Sequence, residues 1–204
     1  MDVRTFKKGD VYEGIVSHVD FPNKGRIYIE DRLITVKNVI PGQTVRFMIN
    51  KKKNDRLEGR LLAVIEKSPL EDISPVCSIF PDCGGCTYQT MSYKEQLLMK
   101  EKQVRKILAD ALDNADDYVF EEIAASPAQF EYRNKMEFSF GDEHKDGPLT
   151  LGLHKKCSTY DILNAGDCRL VHGDIREILA FVLHYFHRHS LPYYKKMQHT
   201  GYLR

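Results

Sequence analysis

The chain lacks a long apolar run, a leader-like start and an even set of cysteines. Its apolar stretches stay below the about 18 residues that a membrane-spanning helix requires. Residues 1–8 have no apolar core, so we expect no signal peptide. Only five cysteines occur, three of them in one short segment, which is atypical of a secreted disulfide scaffold. We therefore expect a cytoplasmic protein whose clustered thiols hold metal.

The chain also lacks a strong net charge, although its charges are unevenly distributed. The net charge is +1, yet residues 1–66 contain 13 Lys and Arg against 9 Asp and Glu. A mildly basic N-terminal module could attract a polyanion, and an ordinary solvated surface explains the same counts. With 42% hydrophobic and 29% charged residues, the 204-residue chain is typical of a folded protein of one large or two smaller domains.

Short strand patterns fill residues 9–65. Turn signals at 22–25 and 41–43 separate apolar runs, and residues 44–49 alternate between an apolar and a polar face. Strands are predicted at 11–16, 26–29, 33–36, 44–49 and 57–65, the last with Leu57, Leu61, Ala63 and Ile65 on one face. Five short strands predict a small closed barrel of the oligonucleotide-binding (OB) type, with a small β-sandwich as the alternative. We assign this barrel to residues 1–67.

Residues 68–204 are predicted to form a second, α+β domain. A capping box of Ser92 and Glu95 begins a helix that should end near residues 113–114. Its predicted inward face is Leu97, Glu101, Val104, Leu108 and Leu112. Residues 131–140 alternate as a strand, 149–153 and 159–163 follow as partners, and 174–189 form a second helix. The pattern favours an antiparallel sheet.

The most informative segment is residues 77–86, which read Cys-Ser-Ile-Phe-Pro-Asp-Cys-Gly-Gly-Cys. Its three thiols, Cys77, Cys83 and Cys86, can point at one place because the two glycines let the backbone bend closely. Three thiolates need a fourth ligand. Cys168, between a predicted strand and a helix, is favoured over Cys157, which lies in a predicted exposed turn.

The spacing bears on the identity of the metal. Structural zinc sites usually pair two short Cys-x-x-Cys segments, and only one short pair occurs here. A three-plus-one layout with glycines between thiolates is more typical of an iron–sulfur cluster. Zinc and incidental clustering of cysteines are the alternatives.

Four features, in chain order, resemble the iron–sulfur RNA uracil-5 methyltransferases, which methylate uracil C5 in large-subunit ribosomal RNA. The first is a barrel of the TRAM type, with Gly9-Asp10 at its start and residues 39–42 in its middle. The second is the cysteine loop continuing to Gln89, and the third is the strand-like segment 132–138. The fourth is Gly152-Leu153-His154, followed by Asp161-Ile162 and Asp167-Cys168. Together they cover most of the chain.

The resemblance implies that Cys77, Cys83, Cys86 and Cys168 hold a 4Fe–4S cluster. It implies an S-adenosylmethionine-dependent methyltransferase that forms 5-methyluracil in 23S ribosomal RNA. In that family a catalytic cysteine adds to uracil C6, and C5 then accepts the methyl group. We expect ribosomal RNA as the partner, a monomeric protein and no membrane association.

The sequence departs from the family because it contains no glycine-rich strand–loop–helix for the cofactor, so we expect the Rossmann-like catalytic domain to be absent from this chain. We therefore assign no catalytic residue, Cys157 included, and expect the chain to be the RNA-recognition and iron–sulfur portion of the enzyme, itself not catalytic. The alternatives are a stand-alone RNA-binding or redox-sensing iron–sulfur module and a zinc-stabilised adaptor.

Two groups of residues are predicted to contact RNA. Arg133, Asn134 and Lys135 lie in the strand-like segment, and Arg46, Lys51, Lys52 and Lys53 lie in the barrel. Cationic side chains of this kind bind phosphates and position the RNA. The alternative is a solvated strand face with cross-strand charge pairs.

Overall fold

The computed structural model describes residues 6–53, 56–112 and 118–203, and the chain divides into two compact units. The first unit contains Met1–Ile73 and Thr90–Ala125. The second contains Ser74–Gln89 and Ser126–Arg204. This grouping differs from the predicted ranges 1–67 and 68–204, because the helix that follows the cysteine loop packs with the barrel.

The first unit is built on a closed five-stranded barrel, which confirms the predicted OB-like fold over the sandwich. Its strands are β1 (Val11–Asp20), β2 (Lys24–Ile29), β3 (Arg32–Val36), β4 (Thr44–Lys53) and β5 (Arg56–Glu66). They are hydrogen-bonded in the order β1-β2-β3-β5-β4, and the barrel closes where β4 pairs with β1. The β3–β5 pair is parallel, and all the other pairs are antiparallel.

Side-chain alternation fills the barrel interior. Val45, Phe47 and Ile49 on β4 are completely buried, as their spacing predicts. The predicted shared face of β5 is wrong at its end, since Leu57 is buried whereas Ile65 is 43% exposed. Three register shifts along the β4–β5 ladder account for the difference, because each shift changes which side chains point inward.

Helix α1 (Tyr93–Ala111) completes the first unit. The Ser92 side chain accepts a hydrogen bond from the Glu95 N–H at 3.5 Å, so the predicted N-cap is confirmed. The Ser92 N–H donates to Asp72 Oδ1 at 2.8 Å. The predicted inward face is wrong, because the buried positions are Met99 and Gln103.

The second unit contains a small antiparallel sheet, as predicted. Its strands are β6 (Ser139–Gly141), β7 (Thr150–His154) and β8 (Ile162–Asn164), with β7 in the centre. Helix α2 (Gly173–His189) follows and is capped by His172, whose Nδ1 accepts from the Asp174 N–H. In the part of the chain that the structure describes, no helix combines the length and the apolar character needed to cross a bilayer.

Most of the strand predicted at 131–140 does not form, since only residues from Ser139 onward pair as β6. Glu131 has a φ of 57°, which a strand cannot accommodate. The Glu131 N–H donates to the Arg169 carbonyl at 2.8 Å, and the Arg133 N–H donates to the Leu170 carbonyl at 3.0 Å. The segment therefore runs beside the loop that carries Cys168.

Candidate functional site

The cysteine loop is a series of tight turns in the second unit. The Phe80 N–H donates to the Cys77 carbonyl at 3.2 Å, and the Cys83 N–H donates to the Ile79 carbonyl at 2.9 Å. The Gly85 N–H then points at the Cys83 sulfur, 3.3 Å away. These bonds fold the three thiols of the loop toward one side.

The end of β7 holds this loop in place. The Gly84 N–H donates to the His154 carbonyl at 3.1 Å, and the Lys156 N–H donates to the Asp82 carbonyl at 2.7 Å. Cys83 and Lys155 form the antiparallel bridge between these two bonds. The backbones are close, since a Cβ atom on Gly84 would lie 3.3 Å from the His154 oxygen. A strand of the sheet therefore determines where Cys83 points.

All four predicted ligands line one cavity of about 380 Å³. Cys168 reaches it through a turn after β8, closed by its N–H bond to the Ala165 carbonyl at 3.0 Å. Cys157 is exposed and is not part of the cavity lining. The structure thus brings Cys77, Cys83, Cys86 and Cys168 together and leaves Cys157 apart.

The buried thiols are poor acids in the absence of a bound cation. Burial raises the pKa of Cys83, the Gly85 N–H acts in the opposite direction, and the neighbouring thiolates raise the pKa further. Burial also raises the pKa of Cys168, whose thiolate accepts from the Leu170 N–H. A metal centre bound by these sulfurs would lower the pKa of the thiols, because a coordinated thiol is deprotonated outright. The donor set therefore fits a thiophilic metal centre.

Within the described residues, the four cysteines line one cavity without converging on a single point. Over the described ranges 6–53, 56–112 and 118–203, no three His, Cys, Asp or Glu side chains lie close enough to hold one metal ion. The cavity volume far exceeds the few tens of Å³ that one water molecule occupies.

Three cationic side chains share the cavity lining with the thiols. They belong to Arg133, Lys135 and Arg169, and Glu137 is the acidic residue of the same lining. Lys135 pairs with Glu137 at 3.2 Å, where both side chains are highly exposed, and Arg169 pairs with Asp167 at 3.1 Å. In the described part of the chain, no carboxylate pairs with the Arg133 guanidinium. We call Arg133, Lys135 and Arg169 the basic rim.

The other predicted RNA contacts are not among the residues that line this cavity. Asn134 is exposed and outside the cavity lining. Arg46 lies on β4 of the first unit and binds Glu13, with Nη2 and Oε1 2.6 Å apart.

The predicted lysines are at the far end of the same strand. Lys51 pairs with Glu58 at 3.5 Å, Lys52 donates to the Phe6 carbonyl at 3.2 Å, and Lys53 is exposed. At about 3.3 Å per residue, Lys51 lies about 16 Å along β4 from Arg46. The barrel residues therefore do not form one compact patch.

Comparison with known proteins finds relatives that match nearly the whole of this chain. A protein of Clostridium tetani named an uncharacterised RNA methyltransferase is 41% identical over 198 residues, which are 97% of this chain and 43% of that protein. A protein of Clostridium acetobutylicum with the same description is 38% identical over 99% of this chain and 44% of its own length. Over nearly its whole length the chain is therefore similar to part of these two RNA methyltransferases. No family model matches it.

The chain spans less than half the length of these methyltransferase relatives. A solved structure of similar fold, with a TM-score of 0.62, is the Pyrococcus abyssi tRNA (uracil-54, C5)-methyltransferase in complex with S-adenosyl-L-homocysteine. The match covers 93% of this chain and 40% of that protein at 20% identity, so the likeness concerns the fold. Relatives named as RNA methyltransferases cover 97–99% of this chain, which confirms the predicted resemblance.

Sequence reasoning missed two residues of this site. Arg169 was not predicted to lie with Arg133, although it directly follows the predicted ligand Cys168. Lys156 was not singled out, although its backbone bonds to the cysteine loop. Adjacency to a ligand is the signal that could have identified Arg169. The sequence carries no comparable signal for Lys156, because its partner Asp82 is distant along the chain.

Proposed function

We propose that this chain is the RNA-binding and iron–sulfur part of an S-adenosylmethionine-dependent RNA methyltransferase that forms 5-methyluracil. The observation that carries the proposal is one cavity lined by four cysteines from two separate segments and by the basic rim. The names of the relatives support RNA methylation, and the likeness of fold to a uracil-C5 methyltransferase supports the target atom. We assign no residue of this chain to methyl transfer.

The proposed metal centre is a 4Fe–4S cluster held by Cys77, Cys83, Cys86 and Cys168. Four thiolate donors are the usual ligand set of such clusters, and the cavity has more room than one zinc ion requires. When bound, the cluster joins the loop 77–86 to Cys168, so its binding free energy contributes to folding of the second unit. We propose a cytoplasmic protein, because the reducing cytosol keeps clustered thiols free to bind metal.

The proposed RNA contact is the basic rim. Arg133 can give a phosphate a bidentate hydrogen bond, because no carboxylate of the described chain occupies its guanidinium. Lys135 and Arg169 have exposed carboxylate partners, and exposed pairs of this kind are weak enough to exchange for phosphate. Ribosomal RNA is the substrate class that we propose, with the base contacts made outside this rim.

The cluster is tested by anaerobic purification of the chain, a visible spectrum, and iron and zinc analysis. We expect about four iron atoms per chain and a brown protein. Cys168→Ser should lose most of the iron, whereas Cys157→Ser, which alters the exposed cysteine, should retain it. A colourless protein that contains zinc, or equal iron in both variants, would contradict the proposed cluster.

The RNA contact is tested by the salt dependence of the dissociation constant for a uridine-containing single-stranded RNA. Arg133→Ala should weaken binding and reduce the slope of log affinity against log salt by about 1. Arg188→Ala, an exposed arginine near the end of α2, is the matched control and should leave the slope unchanged. Identical slopes for the two variants would remove Arg133 from the RNA interface.

A further inference from the structure

Lys156 is fixed beside the cysteine loop by its backbone. It follows β7 by two residues, and its N–H bond to the Asp82 carbonyl is one of the two hydrogen bonds that flank the Cys83–Lys155 bridge. The hydrogen bond of Gly84 to His154 is the other. Because both bonds continue the edge of a sheet strand, Lys156 has little freedom to move away from Cys83.

The side chain of Lys156 contacts a residue of the cavity lining. Its ammonium nitrogen lies 5.3 Å from the centroid of the Phe80 ring, within the range of a cation–π contact. Phe80 itself lines the cavity with the four cysteines. The lysine is half-buried, so its charge is directed at the cavity wall rather than fully hydrated.

The charges around this ammonium group are those of the cysteine loop. Burial lowers the pKa of Lys156, and the thiolates of Cys83 and Cys86 act in the opposite direction and raise it. Asp82 and Cys157 also raise the pKa of Lys156, to a smaller extent. Three of these four groups, Cys83, Cys86 and Asp82, belong to the cysteine loop, and thiolates bound to a cluster would carry the negative charge that protonated thiols lack.

We propose that Lys156 is the counter-charge of the cysteine centre and raises the reduction potential of the cluster bound there. This inference rests on the proposed iron–sulfur function. Four thiolates give a 4Fe–4S centre a net negative charge, and one-electron reduction makes that charge more negative. A fixed cation stabilises the reduced form more than the oxidised form, since the Coulomb energy grows with the charge. Lys156 acts through the ligands and is a positioning residue.

The test compares the wild-type chain with Lys156→Met, Lys156→Arg and the control Lys145→Met after anaerobic reconstitution. Each protein is titrated with dithionite as the one-electron donor, and the visible spectrum gives the midpoint potential. In Lys156→Met we expect the ratio of reduced to oxidised cluster at a fixed potential to fall about tenfold, a shift of about 59 mV to more negative potential. Lys156→Arg and Lys145→Met, which removes an exposed lysine outside the cavity lining, should stay near wild type.

The outcomes separate this inference from the proposed function. A wild-type chain that takes up no iron overturns both. A wild-type chain with a cluster, and a Lys156→Met variant with the same cluster and the same potential, overturns the role of Lys156 alone. If Lys156→Met fails to hold iron, the Lys156→Arg variant provides the test. An arginine variant that binds the cluster at the wild-type potential supports the proposed role of the positive charge. Loss of iron from the arginine variant as well overturns that role.

Discussion

The side-chain amide of Gln103 on α1 donates a hydrogen bond to the backbone carbonyl of Val19 on β1, with a distance of 2.9 Å. Gln103 is only 7% exposed and lies one turn from Met99, the other buried residue of the helix. A polar side chain thus attaches helix α1 to strand β1 of the barrel. The contact explains why the buried face of α1 differs from its most apolar face, because the amide must reach a carbonyl.

Replacing Gln103 by alanine should destabilise the first unit. The change removes a buried hydrogen bond and leaves the Val19 carbonyl without this donor, which costs about 1–3 kcal/mol of the free energy of unfolding. Urea unfolding followed by circular dichroism measures the loss. Lys100→Ala alters an exposed residue of the same helix and should change stability by no more than about 0.5 kcal/mol. Equal effects of the two substitutions would show that the amide bond contributes nothing.

Gly152→Ala should disrupt the sheet of the second unit. A Cβ atom at this position would lie 1.9 Å from the Leu163 carbonyl oxygen and 2.6 Å from the Ala165 nitrogen, so β7 and β8 would have to separate. We expect a loss of about 3 kcal/mol in the free energy of unfolding, at the upper end of ordinary overpacking. Gly173→Ala is the control, because its Cβ would have its nearest neighbour at 3.6 Å. A Gly152→Ala protein with the wild-type unfolding midpoint would refute the close approach.

The Asp20 carboxylate should make the first unit sensitive to acid. Burial alone would raise its pKa, but hydrogen bonds from Lys106 and Arg26, each 2.6 Å long, outweigh burial and hold the pKa below its ordinary value. A lowered folded-state pKa stabilises the protein above the unfolded-state value of about 3.9, and this contribution is lost as the pH falls through the folded-state value.

The corresponding measurement is the free energy of unfolding of wild type and Asp20→Asn between pH 7 and pH 3. The wild type should be more stable at pH 7, and the difference should shrink below about pH 4. Asp110→Asn removes an exposed carboxylate of α1 and serves as the control. Parallel stability curves for wild type and Asp20→Asn would exclude the predicted linkage.

Tyr193 should ionise at a higher pH than an ordinary tyrosine. Its pKa is raised to about 12, first by burial. The hydrogen bond that its hydroxyl donates to Asp142 Oδ2 at 2.8 Å and the charges of Asp142 and Asp146 raise the pKa further. Because the folded-state pKa lies above the unfolded value of about 10, the stabilisation is complete below pH 10 and disappears toward pH 12.

Alkaline absorbance titration distinguishes this residue from the other tyrosines. The wild type should show a tyrosinate step near pH 12 that Tyr193→Phe lacks, and the variant should lose about 1–3 kcal/mol of stability at pH 7. Tyr202→Phe, at a position 80% exposed, should leave that step and the stability unchanged. A step near pH 12 that survives in Tyr193→Phe would contradict the assignment.

The barrel was predictable because its information is local. Alternation places Val45, Phe47 and Ile49 inside without reference to distant residues. The N-cap Ser92 was predictable for the same reason. The second half of the predicted capping box does not form, since Asp72 rather than Glu95 accepts the hydrogen bond from the Ser92 N–H.

The segment 131–138 shows where local patterns fail. Its alternation is that of a strand, yet the Arg133 N–H pairs with the Leu170 carbonyl, a partner that no local rule identifies. The cavity was predictable in part, because clustered cysteines indicate a shared site even when their distances are unknown. The presence of Arg169 and Lys156 near it depends on pairing between distant segments, which one sequence does not encode in a readable pattern.

The attachment of the cysteine loop to His154 and Lys156 has a consequence for biosynthesis. During translation Cys77, Cys83 and Cys86 leave the ribosome long before the residues whose backbone must hold Gly84 and Asp82 in place. Until β7 and Cys168 have been synthesised, the nascent chain exposes three unsupported thiols to oxidants and to stray metal ions. Completion of the site is therefore a late event, and its yield depends on how well the cell protects an immature chain.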